Sequence, residues 1–258
     1  MQLGAIDRAS DRPPYRQIAD QLRAQIDRGT LVAGDKLPSE AELIEHYGVA
    51  RMTVRQAVQE LRNEGRVVAE HGKGTFVRQP VQVRRLASER FARRHREAGL
   101  AAFSVEAQKT GFTPNVDQLE IATGPAAPEI RDRLRLGDDE EVVSRSRRYL
   151  ADGQPVETAV SYLPASVAAG SRIVEADTGP GGIYARLEDM GFELDHFTEE
   201  VSARMPTAEE RRRLQLTDGV PVVVLVRTAY DTTGRPLEVC DTLKAAPAYV
   251  LEYEVPAR

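Results

Sequence analysis

Residues 37–61 read LPSEAELIEHYGVARMTVRQAVQEL, and this stretch decides the N-terminal fold. Ser39-Glu40-Ala41-Glu42 has the form of a capping box, in which the Ser39 hydroxyl takes an orphan helix N–H while Glu42 reaches back. The helix it opens runs to about Tyr47, where Gly48 can end it. A short turn leads to a second helix whose apolar stripe is Val54, Ala57, Val58 and Leu61, stopping before Gly65. Two helices so closely joined form a helix-turn-helix. With that stripe turned inward, Arg51, Met52, Thr53, Arg55 and Gln56 face outward at the start of the second helix. Arg51 and Arg55 lie one turn apart, and a guanidinium fork matches the O6/N7 edge of guanine. Thr53 can bond a phosphate or pack on a thymine methyl.

Working outward, Pro13-Pro14 precede Tyr15, Ile18, Ala19, Leu22 and Ile26, an apolar stripe at helical spacing that stops at Gly29. Downstream, Arg66–Glu70 and Thr75–Arg78 read as two short strands around His71-Gly72-Lys73-Gly74, a small basic tip suited to a minor groove. A solvated helix face would explain the arginine pair alone equally well. The ordered series of helix, capped helix, basic helix and Gly-Lys-Gly hairpin is what singles out double-stranded DNA as a partner.

Composition bounds the rest. The 258 residues are enough for two domains, and 41% apolar with 29% charged residues is globular composition. The chain opens without a basic n-region and apolar run, and no stretch approaches the roughly 18–20 apolar residues needed to span a bilayer. Cys240 is the only cysteine, which excludes an intrachain disulfide and fits a reducing compartment. These features predict a cytoplasmic protein without a membrane partner. The net charge of −5 is unevenly spread. Residues 1–80 hold 12 basic and 11 acidic side chains, residues 81–98 hold 6 and 2, and residues 99–258 hold 17 and 27. A near-neutral head can still bind DNA if its basic residues share a face. Arg84, Arg85, Arg90, Arg93, Arg94 and Arg96 make the junction basic. A solvated, partly helical linker is the leading reading there, and contact with flanking phosphates is the second.

The second half repeats itself. Arg133-Leu134-Arg135-Leu136-Gly137-Asp138 parallels Arg213-Leu214-Gln215-Leu216-Thr217-Asp218, and Gly153-Gln154-Pro155-Val156-Glu157 parallels Gly234-Arg235-Pro236-Leu237-Glu238. Tyr149 is paired with Tyr230 in the same scheme. Each copy reads as a short helix, a β-branched strand, a Gly turn and a second strand, which predicts an α+β domain with one antiparallel sheet of two related halves. Alternation places Arg145, Arg147 and Tyr149 on one face of a strand, and Glu157, Ala159 and Ser161 on one face of the next. Glu238, Cys240 and Thr242 are the equivalents in the second copy. Small residues beside polar ones leave room for a ligand, although a solvent-facing sheet would alternate in the same way. The run Asp177–Gly182 precedes an expected helix at Ile183–Met190 and reads either as an anion-binding N-terminus or as a plain connection.

Catalytic chemistry finds little support. His46, His71, His95 and His196 are scattered without metal-ligand spacing, and no nucleophile elbow, Walker loop or dinucleotide fingerprint is present. No cofactor and no metal are expected, and Cys240 reads as core or pocket wall.

Residues 13–78 resemble the winged-helix head of the GntR family. The resemblance is carried by Leu37-Pro38-Ser39-Glu40, Arg51-Met52-Thr53-Val54-Arg55-Gln56-Ala57 and His71-Gly72-Lys73-Gly74-Thr75-Phe76-Val77. It implies DNA contacts at Arg51, Thr53, Arg55, His71, Gly72 and Lys73; Ser39 and Gln56 complete the candidate set. The chain departs from the family at Ala41, commonly Arg, and at Ala50, commonly a capping Ser or Thr. Residues from about 98 to 255 resemble the UTRA effector domain of HutC-type GntR regulators, a fold shared with chorismate lyase. That implies ligand contacts at Arg147, Tyr149, Ser161 or Ala159, Tyr184 and Glu238, and backbone N–H groups near Phe103-Ser104. Arg145 and Glu157, on the same strand faces, join the set. Tyr149 and Gly182 stand where sugar-phosphate sensors of the family hold a second arginine and a serine, and the Glu157/Glu238 pair points to a ligand with donor groups, an amine or polyol.

The implied organisation is a winged helix-turn-helix at 10–78, a linker at 79–98 and a chorismate-lyase-like effector domain at 99–258. The implied function is a non-enzymatic repressor that binds a pseudo-palindromic operator as a homodimer and is released by a small-molecule effector. Two alternatives stay open: a lyase-like enzyme domain fused to a DNA-binding head, and a constitutive DNA binder.

Overall fold

A computed structural model describes residues 3–70, 72–78, 82–87 and 90–255. They fall into two compact units, residues 1–80 with 216–220, and residues 81–215 with 221–258.

The first unit runs α1 (Pro14–Asp27), α2 (Glu40–Tyr47), α3 (Arg51–Asn63), β1 (Val67–Glu70) and β2 (Gly74–Val77). Pro14 opens α1, where its missing N–H costs nothing. Both bonds of the capping box form at α2: Glu42 N–H donates to Ser39 Oγ at 3.3 Å, and Ser39 N–H donates to Glu42 Oε2 at 2.7 Å. Gly48 ends α2 at φ 61°, a left-handed turn that a side chain would strain. Ala50 gives α3 no side-chain cap, as the absent hydroxyl predicts. Ile18, Leu22, Leu43, Val54, Ala57 and Leu61 are fully buried between the three helices, while Val58 packs at the edge of this core. Each buried Ile, Leu or Val side chain contributes about 1.5–3 kcal/mol, which holds the helix-turn-helix without any disulfide. β1 and β2 pair antiparallel from Val67↔Val77 to Glu70↔Gly74, and Lys36 bridges to Phe76 to complete the wing.

The second unit continues with β3 (Val83–Leu86), α4 (Arg93–Glu97), α5 (Ala102–Thr110), β4 (Pro114–Pro125), α6 (Pro128–Leu134), β5 (Glu141–Ala151), β6 (Gln154–Pro164) and α7 (Ala165–Ala168). It is completed by α8 (Gly182–Asp189), β7 (Leu194–Arg204), α9 (Ala208–Arg213), β8 (Val222–Asp231), β9 (Pro236–Ala245) and β10 (Tyr249–Glu252). Six strands form one antiparallel sheet in the order β4-β5-β6-β9-β8-β7, so two three-stranded halves meet at β6 and β9. The repeat reaches further upstream than its sequence echo, because α5-β4-α6-β5-β6 returns as α8-β7-α9-β8-β9.

Register corrects one correspondence. β5 and β8 each carry an irregularity, at Tyr149/Leu150 and at Ala229/Tyr230, and these coincide when the halves are superposed by position. Tyr149 therefore corresponds to Ala229, not to Tyr230. Arg147, opposite Ala159, corresponds to Arg227, opposite Cys240.

The junction differs from the expected solvated linker. β3 pairs in parallel with β10, from Tyr249↔Val83 to Glu252↔Leu86, and is part of the second unit. Its arginines find carboxylates far along the chain: Arg85 pairs with Glu199, Arg90 with Glu106 at 3.0 Å, and Arg96 with Glu188 at 2.9 Å. Arg85 and Arg90 are buried, and a guanidinium taken out of water without a partner costs several kcal/mol, so they are committed here and not to phosphates. Arg84 and Arg93 stay exposed, paired with Glu252 and Glu97. Residues 79–81, 88 and 89 lie outside the described residues.

Candidate functional site

The outer face of α3 carries exposed Arg51, Met52, Arg55 and Gln56, with Thr53 half-buried beside them. The two arginines converge on a residue the sequence reading passed over. Arg55 Nε donates to both carboxylate oxygens of Glu40, at 3.0 and 3.1 Å, and Arg51 Nε lies 3.8 Å from the same group. Glu40 sits on the first turn of α2, so the helix-turn-helix angle brings it against a face 11 to 15 residues on. A shared surface carboxylate holds both forks in place at little cost to their availability. Ser39 is spent on its cap, and its N–H and hydroxyl hold the Glu42 carboxyl below the usual range. In the wing, Gly72 takes φ 73° and the turn closes by Lys73 N–H donating to the Glu70 carbonyl at 3.1 Å. Lys73 Nζ rests 3.1 Å from Glu70 and is exposed. His71 lies outside the described residues.

The second unit encloses a cavity of about 460 Å³ between the sheet and the helices α5 and α8. Phe103, Ser104, Arg145, Arg147, Tyr149, Glu157, Ala159, Tyr184 and Glu238 all line it. Ser161 stands behind the wall, where its Oγ accepts a bond from Arg147. The sequence reading missed Arg227, Arg90, Phe91, Asn115 and Leu119, which also line the cavity. Arg227 was within reach, because its register position matches Arg147; the mistaken Tyr149/Tyr230 pairing hid it.

Charge inside the cavity is unevenly satisfied. Glu238 accepts from the Tyr184 hydroxyl and lies 3.5 Å from Arg227, and Arg227 Nε donates to Tyr184 Oη at 2.8 Å. Burial, with Glu238 beside it, pushes the Tyr184 phenol well above its ordinary value, so it remains a donor at neutral pH. Glu157 accepts from Lys244 and, at 2.7 Å, from the Tyr249 hydroxyl. Burial opposes its charge, but Lys244 and Arg90 outweigh that and hold its carboxyl down. Each glutamate is thus tied into the wall through its Oε2, while both still line the cavity. Arg145 gives its guanidinium to the carbonyls of Ile173, Glu175 and Ala176, tying down the segment before α8. Burial, and then the like charge of Arg147, push Arg145 down to about 10, which leaves it a cation at neutral pH.

Arg147 is different. It donates to Ser161 Oγ, its Nε has no partner among the described residues, and no carboxylate pairs with it. The N-terminal turns of α5 (Ala102, Phe103, Ser104) and α8 (Gly182, Ile183) line the same cavity. Helix N-termini and a guanidinium not paired with a carboxylate together favour an anionic group. Among the described residues no cluster of three or more potential metal ligands occurs, and no helix is long and apolar enough to cross a membrane.

Comparison with known proteins agrees with both units. Residues 14–77 match the family described as bacterial regulatory proteins, gntR family, and residues 109–249 match the UTRA domain. The HTH-type transcriptional regulator SCO4628 of Streptomyces coelicolor is 32% identical over 252 residues, covering 95% of this chain and 94% of its own. The HTH-type transcriptional repressor NagR of Bacillus subtilis is 30% identical over 234 residues, covering 90% of each chain. A solved GntR-family transcriptional regulator superposes with a TM-score of 0.60 at 29% identity, covering 96% of this chain and 99% of that one. PhnF from Mycobacterium smegmatis shares the fold, with a TM-score of 0.60 at 23% identity over 93% of this chain and all of its own. These families and relatives are transcription regulators, a non-enzymatic class. The chain belongs to the GntR family of bacterial transcription regulators, with a DNA-binding helix-turn-helix followed by a UTRA effector domain.

Proposed function

We propose that this regulator is a cytoplasmic repressor that binds a pseudo-palindromic operator as a homodimer and releases it when a small anionic metabolite occupies the UTRA cavity. The observation that carries the reading is Arg147, a cavity-lining cation with no carboxylate partner, beside the N-termini of α5 and α8. The relative named a transcriptional repressor supports the sign of the response. Arg51, Thr53, Arg55 and Gln56 enter the major groove, Ser39 fixes the helix before them, and the His71-Gly72-Lys73 tip meets the adjacent minor groove. Two-fold pairing of subunits follows from operator symmetry. In the cavity Arg147 takes the anion, Ser104 and Phe103 offer backbone N–H groups, and Tyr149, Ala159, Tyr184 and Glu238 shape the remainder. Arg145, Glu157 and Ser161 hold those groups in place.

The test is a titration of the protein on DNA fragments selected from a random pool, at fixed salt, with phosphosugars, carboxylates and neutral polyols added in turn. Release by an anionic compound and by none of the polyols is the expected result. Release by a polyol alone overturns the anion assignment, and indifference to every compound overturns the sensor reading. In the same assay Arg51→Ala is expected to lose about 1–3 kcal/mol at the selected site and to relax base preference. Unchanged affinity would remove Arg51 from the interface.

A further inference from the structure

Phe91 lies between β3 and α4, outside both the sheet and the helices, yet its ring gathers side chains from three elements. The Arg227 guanidinium stands 4.4 Å from the ring centroid and that of Arg90 stands at 4.7 Å. Phe197 of β7 stacks on the ring at 4.6 Å, and Tyr184 of α8 meets it edge-on at 5.4 Å. Its carbonyl oxygen accepts from Arg96, which is anchored to Glu188 on α8. A desolvated guanidinium over an aromatic ring is a strong, distance-sensitive contact, so the ring responds to where Arg227 sits.

The path from Phe91 to β3 is short. Arg90 N–H donates to the Leu86 carbonyl at 3.3 Å, and Ala87 N–H extends the β3·β10 ladder by donating to Glu252 at 2.9 Å. Along β7, two residues from Phe197, Glu199 pairs with Arg85 of β3. Phe91 also lines a second hollow with Phe197, Glu199 and Tyr253, so its ring is a partition with the effector cavity on one side.

We propose that Phe91 is the positioning residue through which occupancy of the cavity reaches β3, the first strand of the second unit after the DNA-binding head in the chain. A ligand held by Arg147 that shifts Tyr184, and with it the Arg227 guanidinium bonded to the Tyr184 hydroxyl, withdraws the ring edge and the cation that hold Phe91. The bond from Arg90 N–H to the Leu86 carbonyl then loosens, and β3 slackens against β10. The inference rests on the reading of the cavity as the effector site, but its test needs neither ligand nor operator.

Hydrogen–deuterium exchange of the full chain reads it directly, on peptides covering Val83–Leu86 and, as an internal reference, Gln154–Pro164 in the centre of the sheet. Arg227→Lys and Phe91→Leu are each expected to speed exchange in β3 about three- to ten-fold while β6 stays unchanged. The double variant is expected to exchange no faster than the faster single variant, since both break one contact. Phe91→Tyr, which keeps the ring face, restores the slow exchange. Multiplying effects in the double variant, or a β3 indifferent to Arg227→Lys, overturn the proposal. So does failure of Phe91→Tyr to rescue, which also covers the case in which Phe91→Leu unfolds the domain. Should no metabolite release the protein from DNA, the effector reading falls while the exchange cycle still stands.

Discussion

Arg147 and Arg227 hold the same place in the two halves of one sheet, and they keep different company. Arg227 is enclosed by Tyr184, Glu238 and the Phe91 ring, whereas Arg147 has Ser161, the more distant Tyr149 ring and the cavity. The difference traces to one pair of equivalent positions at the helix N-termini, Ser104 on α5 and Tyr184 on α8. Where the tyrosine stands, its hydroxyl closes the triad with the glutamate; where the serine stands, the cation is left for something else. The glutamate equivalent to Glu238 is Glu157, and it is drawn off to Lys244 and Tyr249. The two halves therefore carry the same guanidinium twice, one in a buried ion pair with a glutamate and the other bonded only to a serine hydroxyl.

The largest expected consequence lies in stability. Arg227→Ala leaves Glu238, only 2% exposed, without its counter-charge and is expected to cost about 3–5 kcal/mol by urea denaturation. Arg147→Ala removes a cation with no carboxylate to strand, and is expected to change stability by under about 1 kcal/mol. Equal losses would break the comparison. Next is ligand affinity. Arg147→Ala is expected to weaken the releasing anion by about 1.5–3 kcal/mol in a calorimetric titration, the worth of hydrogen bonds to a charged group, while operator affinity stays as it was. A normal response would move the receptor elsewhere in the cavity.

Ser104→Tyr sharpens the comparison by making the halves alike. The new hydroxyl should satisfy Arg147 and fill part of the cavity, reducing anion affinity at least about ten-fold, or about 1.4 kcal/mol, with the fold retained. An unaltered affinity would mean that the serine is not what keeps the first half open. The smallest effect concerns the helices on the opposite face. α9 has a capping box of Thr207 and Glu210, whereas the equivalent Ala127 gives α6 no side-chain cap. Thr207→Ala is expected to cost about 1 kcal/mol in thermal unfolding. Glu210 is pushed down to about 2, chiefly by its bond to Arg204, from an ordinary value near 4.5. Its stabilisation is therefore complete above about pH 4.5 and fades as the pH falls toward 2. Glu210→Gln should flatten that part of the acid limb; an unchanged slope would remove Glu210 as its source.

What the sequence made legible was local. The capping box at Ser39 and Glu42 and the inward stripe Val54, Ala57 and Leu61 depend on neighbours within a turn or two, and the structure has them as read. The strand faces of Arg147, Tyr149 and Glu157 follow from alternation, and they reach one cavity. The partners of charged groups were not legible, because they are set by packing between distant segments. Arg85 and Glu199 are 114 residues apart, and Arg96 and Glu188 are 92 apart, so nothing local separates them from solvated arginines. Glu40 was overlooked for a related reason: its pairing with Arg51 and Arg55 depends on the angle between α2 and α3. The turn after β8 hid Arg227, because three residues separate Asp231 from Arg235 where two separate Ala151 from Gln154, and the extra residue shifts the count by one.

The parallel pairing of β3 with β10 carries a consequence for how the protein is made. The helix-turn-helix and its wing end at Val77, so they leave the ribosome well before the rest of the chain. β3 follows at once, but its partner begins at Tyr249, and at roughly 5–20 residues per second that partner arrives on the order of ten to thirty seconds later. For that interval a nascent chain has a DNA-binding head with no finished sensor behind it. The last ladder to close is the one that fastens the start of the sensor to its end, so the capacity to respond is acquired after the capacity to bind.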